Sequence, residues 1–291
     1  MFTFFNSDTT KRLMSDYDPD EVEIRPAATV MLIADRPDLQ VFMMERNANI
    51  VFAGGMWVFP GGRVDATDNP QKFQALSAHR SDEEASSLMG LSKGGLSYYI
   101  AAIRESFEEA GILLALDKDS HEPLSLAGKQ NSARFNVHRQ GVNSSERDFL
   151  DIIEEENLIL DAGAMHYIAR WITPKGPPRR YDTRFFISRM PENQIPLHDD
   201  NELVHSEWIS PLEILEKVKT EEMVLMSPTL RMVKSLSLFK SADDVIAAAS
   251  ANLSDERVKV NRYNDLVLPG DPFYDEADED IEFGFTRLRP L

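Results

Sequence analysis

The stretch Arg104-Glu105-Ser106-Phe107-Glu108-Glu109-Ala110-Gly111-Ile112 holds three carboxylates within five positions, followed closely by a glycine. At about 100° per residue, one face of a helix collects the apolar residues Ile100, Ile103, Phe107 and Ala110. The three glutamates fall on the opposite face. We therefore predict a helix that is buried on one side and concentrates negative charge on the other. Gly111 suits its end, because glycine adopts the left-handed conformation at little cost.

These carboxylates have two interpretations. Glutamates on the outer face of an amphipathic helix are often simply solvated. Carboxylates three and four positions apart also repel each other, however, and Mg²⁺ between them would offset that repulsion. The upstream segment Val58-Phe59-Pro60-Gly61-Gly62-Arg63-Val64-Asp65 favours the metal. An apolar strand that runs into Pro-Gly-Gly makes a tight turn, where the backbone can closely approach a ligand.

In this order the two segments resemble the Nudix box of the Nudix hydrolases. Gly62 matches the glycine of the box, and Asp68 falls where the family has glutamate. The second half is matched residue by residue by Arg104, Glu105, Glu108, Glu109, Gly111 and Ile112. Two departures stand out: Ser106 replaces an aliphatic residue, and residues 69–103 form a gap of 35 where the family has seven.

The long gap resembles the branch that includes the peroxisomal coenzyme A and acyl-coenzyme A diphosphatases. Residues 171–174 with 179–186, and Leu268-Pro269-Gly270-Asp271 with Tyr274, are similar to motifs of that branch. Residues 46–62 have the spacing of the motif found upstream of the box in coenzyme A-cleaving members, except that Val51 replaces its second arginine. The resemblance spans about residues 26–275.

The resemblance implies roles for particular residues. Glu105, Glu108 and Glu109, with the carbonyl of Gly62, would hold Mg²⁺ or Mn²⁺. Arg104, one turn before Glu108, can brace that carboxylate. We assign catalysis to Glu108, Glu109, Arg104 and a general base outside the box, Glu202, with Glu207 as the other candidate.

Substrate phosphates would be bound by arginines, which can pair with them bidentately. The candidates are Arg46, Arg179, Arg180 and Arg184, although Arg184 equally suits a salt bridge within a strand. Trp57 and Tyr181 are candidates for stacking on adenine. The six histidines show no metal-ligand spacing, so we interpret them as structural or surface residues.

Composition limits the classes of function. The chain has 291 residues, of which 42% are hydrophobic, and a formal net charge of −18. That length can bury a core in one elaborated domain or two, and the negative charge argues against a nucleic-acid partner. Because this net charge repels an anionic substrate, metal ions and a local arginine cluster would have to offset it at the binding site. There is no cysteine, which excludes disulfides, thiolate catalysis and cysteine-bound zinc.

The sequence shows none of the common targeting signals. No apolar run approaches the roughly 18–20 residues of a membrane span, and the N-terminus lacks the features of a secretory signal. The chain ends in Arg289-Pro290-Leu291 rather than the peroxisomal Ser-Lys-Leu. We therefore expect a cytoplasmic protein without a membrane partner, whose partner is a small nucleoside diphosphate. A homodimer is compatible with the sequence.

The predicted organisation is an N-terminal arm (1–25), a Nudix domain (26–212) with insertions at about 69–97 and 117–160, and a helical C-terminal extension (213–291) packed on the same domain. Strands mixed with inserted helices predict an α/β (α+β) fold, and the resemblance implies a Nudix α/β/α sandwich with a mixed sheet. Individual expectations include a strand at Ala27–Ala34, a helical pattern over Phe149–Leu160 and another over residues 227–250. Residues 117–148 are polar and give no clear pattern.

Three functions remain open from the sequence. The first is hydrolysis of coenzyme A or acyl-coenzyme A to 3′-phospho-AMP and a 4′-phosphopantetheine. The second is hydrolysis of another nucleoside diphosphate, such as ADP-ribose, NADH or a dinucleotide, which the missing arginine at Val51 keeps open. The third is a Nudix-like binding module without catalysis, against which the three intact glutamates weigh.

Overall fold

A computed structural model of the protein describes residues 21–48, 53–196, 203–263, 266–279 and 284–291. Most of the predicted N-terminal arm, Val51 and Glu202 lie outside these residues. The described helices are α1 (Pro70–Phe73), α2 (Asp82–Met89), α3 (Leu96–Ala110), α4 (Lys129–Asn143), α5 (Phe149–Glu155), α6 (Pro211–Lys219), α7 (Ser227–Leu236) and α8 (Ala242–Ser250). None of them combines the length and the apolar character needed to cross a bilayer.

The described strands are β1 (Ile24–Asp35), β2 (Leu39–Arg46), β3 (Trp57–Val58), β4 (Gly61–Arg63), β5 (Ala115–Asp117), β6 (Leu158–Leu160), β7 (His166–Ile172), β8 (Arg180–Arg189), β9 (Leu203–Ile209), β10 (Glu256–Arg257), β11 (Lys259–Val260), β12 (Leu266–Val267), β13 (Asp278–Glu279) and β14 (Phe285–Thr286). Nine of them form one sheet in the order β10-β14-β7-β8-β1-β2-β3, with β4 paired to β1 and β9 paired to β2. β1 runs parallel to β8 and antiparallel to β2 and β4. The mixed sheet predicted from the sequence is confirmed.

Strand β1 explains why the sheet is covered on both faces. Successive side chains of a strand point to opposite faces, and the core of β1 is apolar at consecutive positions. Val30 and Leu32 pack with α3 in one core, whereas Met31 and Ile33 pack in another core with the C-terminal helices. All four side chains are fully buried, and each contributes about 1.5–3 kcal/mol by its burial. The sheet therefore lies between two helical layers, as the predicted sandwich requires.

The region after residue 213 is not helical throughout. α7 and α8 form part of the second layer, but residues 256–286 add short strands, and β14 pairs with β7 in the main sheet. The helical pattern over residues 227–250 is also interrupted. α7 ends at Leu236, and α8 starts after Ser241, whose side chain accepts the amide N–H of Asp244 at 3.2 Å.

Two further segments differ from the predictions. The helix predicted over Phe149–Leu160 ends at Glu155, and Leu158–Leu160 instead pair with Ala115–Asp117 as strand β6. A short apolar run fits a buried strand as well as a buried helix, so periodicity cannot separate them. The polar residues 117–148 contain α4, which packs on α3 through Phe135 against Phe107.

Candidate active site

The glutamate helix α3 places its two faces as predicted. Ile100, Ile103, Phe107 and Ala110 are at most 1% exposed. Gly111 has a φ of +67°, and its amide N–H donates to the Phe107 carbonyl at 3.0 Å. The N–H of Ile112 donates to the Ser106 carbonyl at 3.2 Å, which completes a glycine-terminated helix end. The carboxylates consequently project from the last two turns of a firmly packed helix.

The Gly-Gly turn contacts this helix through residues that lie 48 positions apart in the sequence. The amide N–H of Gly61 donates to Oε2 of Glu109 at 2.9 Å. The turn itself is attached to β1, because the Pro60 carbonyl accepts the Val30 N–H at 2.9 Å and the Thr29 hydroxyl at 2.7 Å. We call Glu105, Glu108 and Glu109, together with the turn Gly61-Gly62, the glutamate site.

Arg104 is buried beneath the glutamate site, with 5% of its surface exposed. Its Nε and Nη2 donate to the two carboxylate oxygens of Asp68 at 2.9 and 3.0 Å. Its Nη1 donates to Glu105 at 2.9 Å and to Glu108 at 3.0 Å. The Arg104–Glu108 contact has the i,i+4 spacing on which its bracing role was predicted, and that role stays a prediction.

Asp68 is the least expected member of this cluster. It is 1% exposed and also accepts the Asp65 amide N–H at 2.8 Å. A carboxylate with both oxygens paired to a guanidinium is poorly placed to bind a metal, so Asp68 orients Arg104 instead. In the sequence, only its position six residues after Gly62 indicated that Asp68 belongs to the site. Because aspartate is shorter than the glutamate usual at this position, the sequence did not define its role.

Burial and charge change the protonation of the cluster. Burial raises the pKa of Glu105 to about 7 although the Arg104 guanidinium opposes it, and burial likewise raises the pKa of Glu108. For Arg104, burial works to lower the pKa, but hydrogen bonds and ion pairs with Asp68, Glu105 and Glu108 outweigh it and raise the pKa. Carboxylates crowded out of water are therefore costly here unless cations neutralise them.

A divalent cation fits the residues of the glutamate site. Three carboxylates form the hard oxygen donor set that Mg²⁺ and Mn²⁺ prefer, and the raised pKa values of Glu105 and Glu108 reflect a burial of negative charge that a cation would offset. A Cβ added to Gly62 would lie 2.4 Å from the Glu105 carboxylate, so the glycine leaves the space that this carboxylate occupies. Glu105, Glu108 and Glu109, with the backbone carbonyl of Gly62, are the residues that would hold the ion.

α4 supplies a brace that the sequence did not reveal. The guanidinium of Arg139 donates to the carbonyl of Glu108 at 2.8 Å and to that of Glu109 at 3.0 Å. Asn143 donates to the Glu108 carbonyl at 3.2 Å. Since the last carbonyls of a helix have no partner within it, Arg139 completes the end of α3 and places a cation at its negative pole. The polar composition around Arg139 gave no signal of this role.

The four candidate substrate arginines lie in different surroundings. Nη1 of Arg46 is 3.8 Å from Oε1 of Glu109, beside the glutamate site. Arg184 is 2% exposed, pairs with Asp182 and lies over the ring of Tyr98 at 5.1 Å. Arg184 is therefore the salt-bridge partner that the sequence left as its alternative.

The other two arginines flank the hairpin between β7 and β8. Nε of Arg180 donates to the Thr173 carbonyl at 2.9 Å from a buried position, and Arg179 is exposed. Trp57 is 7% exposed and packs in the core behind the sheet, so a stacking role on adenine does not suit it.

Glu207 faces away from the glutamate site. On β9 it lies opposite Met43 of β2, which belongs to the core that packs with the C-terminal helices. Its Oε1 is 3.4 Å from Nζ of Lys217 on α6, in that same layer. This position removes Glu207 as a candidate base and leaves Glu202, which lies outside the described residues.

A second group with possible metal ligands lies on α4 and α5: His138, Glu155 and Glu156. Nε2 of His138 is 2.8 Å from Glu156, and its Nδ1 is 2.5 Å from Nη1 of Arg147. Arg134 pairs with Glu156 at 3.0 Å, and Arg147 pairs with Glu155. Two arginines already balance the two carboxylates, so this group is a structural ion-pair network, as expected for His138.

Alanine substitutions of the two turn glycines should have different effects, one on stability and the other on kcat. A Cβ on Gly61 would lie 2.5 Å from the Ala28 carbonyl, against the backbone of β1, so Gly61→Ala should lower the free energy of unfolding by about 1–3 kcal/mol. A Cβ on Gly62 meets only the end of the Glu105 side chain. Gly62→Ala should keep stability within about 1 kcal/mol and lower kcat at least about 10-fold, because the carboxylate must move. Urea unfolding and steady-state kinetics on both variants test this, and equal stability losses would contradict it.

For Arg139 we expect Arg139→Gln to lower the free energy of unfolding by about 1.5–3 kcal/mol and kcat by about 10-fold, since Glu108 and Glu109 lose the support of their carbonyls. Arg139→Lys, which keeps the charge, should recover part of both. The affinity for Mn²⁺, measured by titration, should fall with kcat. Arg134→Gln on the same helix is the control. A loss of stability in Arg139→Gln with normal Mn²⁺ affinity and kcat would leave Arg139 a purely structural residue.

Comparison with known proteins adds independent information. The family model of the NUDT19 Nudix domain matches residues 80–236, more than half of the chain. The acyl-coenzyme A diphosphatase NUDT19 of Gallus gallus is 28% identical over 305 residues, covering 87% of this chain and 80% of that protein. The Homo sapiens protein of the same name is 27% identical over 237 residues. That alignment covers 71% of this chain and 62% of the human protein.

A solved structure supports the fold. The crystal structure of a Nudix hydrolase from Alicyclobacillus acidocaldarius superposes with a TM-score of 0.62 and covers 78% of this chain and 97% of that one. The sequences are 24% identical, so this likeness concerns the architecture alone.

Proposed function

The chain belongs to the Nudix hydrolases, in the group of the NUDT19 Nudix domain, and from that premise we propose that it hydrolyses coenzyme A or acyl-coenzyme A. Water would add to one phosphorus of the diphosphate, the bridging P–O bond would break, and the products would be 3′-phospho-AMP and (acyl-)4′-phosphopantetheine. The names of the chicken and human relatives support this substrate class.

One observation carries the hydrolase proposal: the two halves of the box meet in space despite the 35 residues between them. The Gly61–Glu109 hydrogen bond and the Arg104–Asp68 pair both join residues from either side of this insertion. Holding three half-buried carboxylates together is unfavourable, because they are partly desolvated and repel each other. Such an arrangement is therefore expected where the carboxylates bind a cation. A binding module without catalysis is therefore the weakest of the three functions.

The residues of the site would divide the work. A divalent metal, when bound, polarises the phosphate oxygens and lowers the pKa of a coordinated water. Glu105, Glu108 and Glu109 would hold it, Gly61 orients Glu109, and Arg104 orients Glu105 and Glu108. Arg46, beside Glu109, is placed to pair with a phosphate, and Glu202 would take the proton of the attacking water.

Another nucleoside diphosphate is the second candidate substrate. It is favoured by Val51, which stands where the coenzyme A motif has an arginine, so one contact expected for coenzyme A is missing. Arg184, a second arginine of the candidate set, is engaged by Asp182.

A substrate panel tests the proposal. Purified protein is incubated with coenzyme A, acyl-coenzyme A, 3′-dephospho-coenzyme A, ADP-ribose and NADH, with Mg²⁺ or Mn²⁺, and the products are identified by mass spectrometry. Preferred release of 3′-phospho-AMP supports the coenzyme A assignment. Faster cleavage of ADP-ribose or NADH would move the assignment to the second candidate, and no metal-dependent cleavage of any compound would overturn both.

The general base yields a prediction with a matched control. Glu202→Gln should lower kcat by about 10²–10⁴-fold, the usual contribution of general base catalysis, and should flatten the acidic limb of the pH–rate profile. Glu207→Gln should change kcat by less than about 2-fold, since Glu207 lies on the other face of the sheet beside Lys217. An unchanged rate in Glu202→Gln, or equal losses in both variants, would remove Glu202 from the mechanism.

We also propose that the metal is Mg²⁺ or Mn²⁺, that the protein is cytoplasmic and that it forms a homodimer. Metal analysis of protein purified from its own cells identifies the ion. Fractionation locates the protein, and light scattering gives its oligomeric state.

A further inference from the structure

A cavity of about 430 Å³ lies between one flank of α7 and residues 261–273. The opposite flank of α7, with Met232 and Val233, packs into the core on the side of the sheet away from α3. The cavity therefore lies in the second helical layer, separated from the glutamate site by the sheet. Its lining includes Asp271, the last residue of the motif Leu268-Pro269-Gly270-Asp271, which the proposed catalysis leaves unused.

The charge of the cavity is unusual for this protein. Arg231 and Lys234 line it from successive turns of α7, and Asp271 is the only acidic residue of the described lining. Asp271 is occupied, because its Oδ2 accepts from Nη1 of Arg231 at 2.6 Å and from the Leu268 N–H at 2.9 Å. Within the described residues Lys234 has no ion pair with a carboxylate. Burial and the adjacent Arg231 lower the pKa of Lys234. In a chain of net charge −18, this site has a surplus positive charge.

Aromatic rings form the rim of the same cavity. Tyr263 and Phe273 meet edge to face with their centroids 5.3 Å apart, and they are 60% and 38% exposed. Phe273 has a φ of +66°, a conformation that is strained for a bulky residue and tends to occur at functional sites. Arg262 lies over both rings, 5.1 Å from the centroid of Tyr263 and 4.7 Å from that of Phe273. The ring surface that remains exposed, together with Lys234, offers a face for a planar group and a partner for an anion.

The walls are fixed by contacts within the protein. Asn261 is 7% exposed, lines the cavity, and accepts the Tyr263 N–H on Oδ1 at 2.9 Å. The hydroxyl of Tyr274 donates to the Arg257 carbonyl at 3.0 Å, which holds the segment after Phe273 against β10. Because these bonds order the walls of the cavity, binding would require little reordering.

We propose that this cavity is a second binding site that takes a nucleoside phosphate, with the phosphate at Lys234 and the base against Tyr263 and Phe273, while Arg231 stays paired with Asp271 and the Leu266 carbonyl. The volume is within the range of small-molecule sites, about 300–1,000 Å³. The choice of an adenine nucleotide as the probe rests on the proposed function, whose substrate and product both carry adenosine 3′-phosphate. The ligand would be a separate nucleotide, because the sheet lies between this cavity and the glutamate site, whereas the adenosine of coenzyme A is joined directly to the diphosphate that would be cleaved.

The test is calorimetric titration of the full chain with adenosine 3′,5′-bisphosphate in EDTA, so that no divalent ion supports binding at the glutamate site. Lys234→Gln should raise Kd about 10-fold by loss of a charge-assisted contact, and Tyr263→Ala about 5-fold or more by loss of stacking. Lys240→Gln is the matched control, because Lys240 is exposed just beyond α7 and does not line the cavity. That variant and Glu109→Gln should bind like the wild type. Adenosine or inorganic phosphate alone should bind more weakly.

The outcomes separate the site from the proposed function. No saturable binding by the wild type, or equal Kd values in Lys234→Gln, Tyr263→Ala and the wild type, would overturn the site. Lys234→Gln should leave KM and kcat for coenzyme A unchanged when no nucleotide is added, as expected of a site separate from the glutamate site. A raised KM would overturn the separation of the two sites. If no substrate is hydrolysed but binding still depends on Lys234, the proposed function fails and the site stands.

Discussion

Glu109→Gln should lower kcat about 10³-fold while the protein stays folded. Gln retains a carbonyl oxygen that can accept the Gly61 N–H, now received by Oε2 of Glu109 at 2.9 Å, so the turn keeps its attachment to α3. The substitution removes one negative charge from the oxygen set that would hold the metal. A loss of about 4 kcal/mol of transition-state stabilisation is of the size that metal ions supply, and it corresponds to three powers of ten in rate.

The measurement is kcat and KM with Mg²⁺ and with Mn²⁺, beside thermal unfolding of the same samples. Glu154→Gln, an exposed glutamate on α5, is the control and should leave kcat unchanged. The affinity of Glu109→Gln for Mn²⁺ should fall together with kcat. A variant that cleaves the substrate at the native rate would show that Glu109 has no part in the chemistry.

Arg104→Met should lower the free energy of unfolding by about 3–5 kcal/mol. Methionine replaces the aliphatic part of the side chain, but Asp68 then remains buried without its two hydrogen bonds from the guanidinium, and an uncompensated buried charge has a cost of this size. Glu105 and Glu108 lose their shared donor as well, so kcat should fall with stability.

Urea unfolding measures this effect, and a double substitution isolates its cause. Adding Asp68→Asn to Arg104→Met should recover part of the lost stability, because the buried charge is then gone. The control is Arg134→Met, which removes the half-exposed pair with Glu156 and should cost less than about 1 kcal/mol. Similar losses in Arg104→Met and Arg134→Met would mean that burial of the Arg104–Asp68 pair contributes little.

The glutamate helix was predictable because its signals are local. The spacing of Ile100, Ile103 and Phe107 sets the buried face, and Gly111 ends the helix at the expected place. The strand at Ala27–Ala34 was predictable for a similar reason, since a short run of apolar residues next to a turn favours a buried strand. These features depend on neighbours within a few positions.

Other parts of the site depend on residues that are distant in sequence. Arg139 reaches the end of α3 from an insertion whose composition is polar, and no local pattern marks such a contact. The sequence made Arg184 a candidate phosphate ligand, but in the fold it forms an ion pair with Asp182. Glu207 was excluded by the face of the sheet on which it lies, because a single strand pattern does not say which of its two faces meets the site.

The sequence by itself determined the helix, its row of three glutamates and the glycine turn, because helix periodicity and glycine conformation are properties of short segments. Only the tertiary structure decided that Gly61 holds Glu109, that Asp68 orients Arg104 and that Arg139 completes the helix end. Those contacts join chain segments about 30 to 50 residues apart, and their formation depends on how the sheet and the insertions pack together. The physical reason is that the pKa values of the site depend on the burial of its side chains, and these side chains become buried only when the segments have packed together.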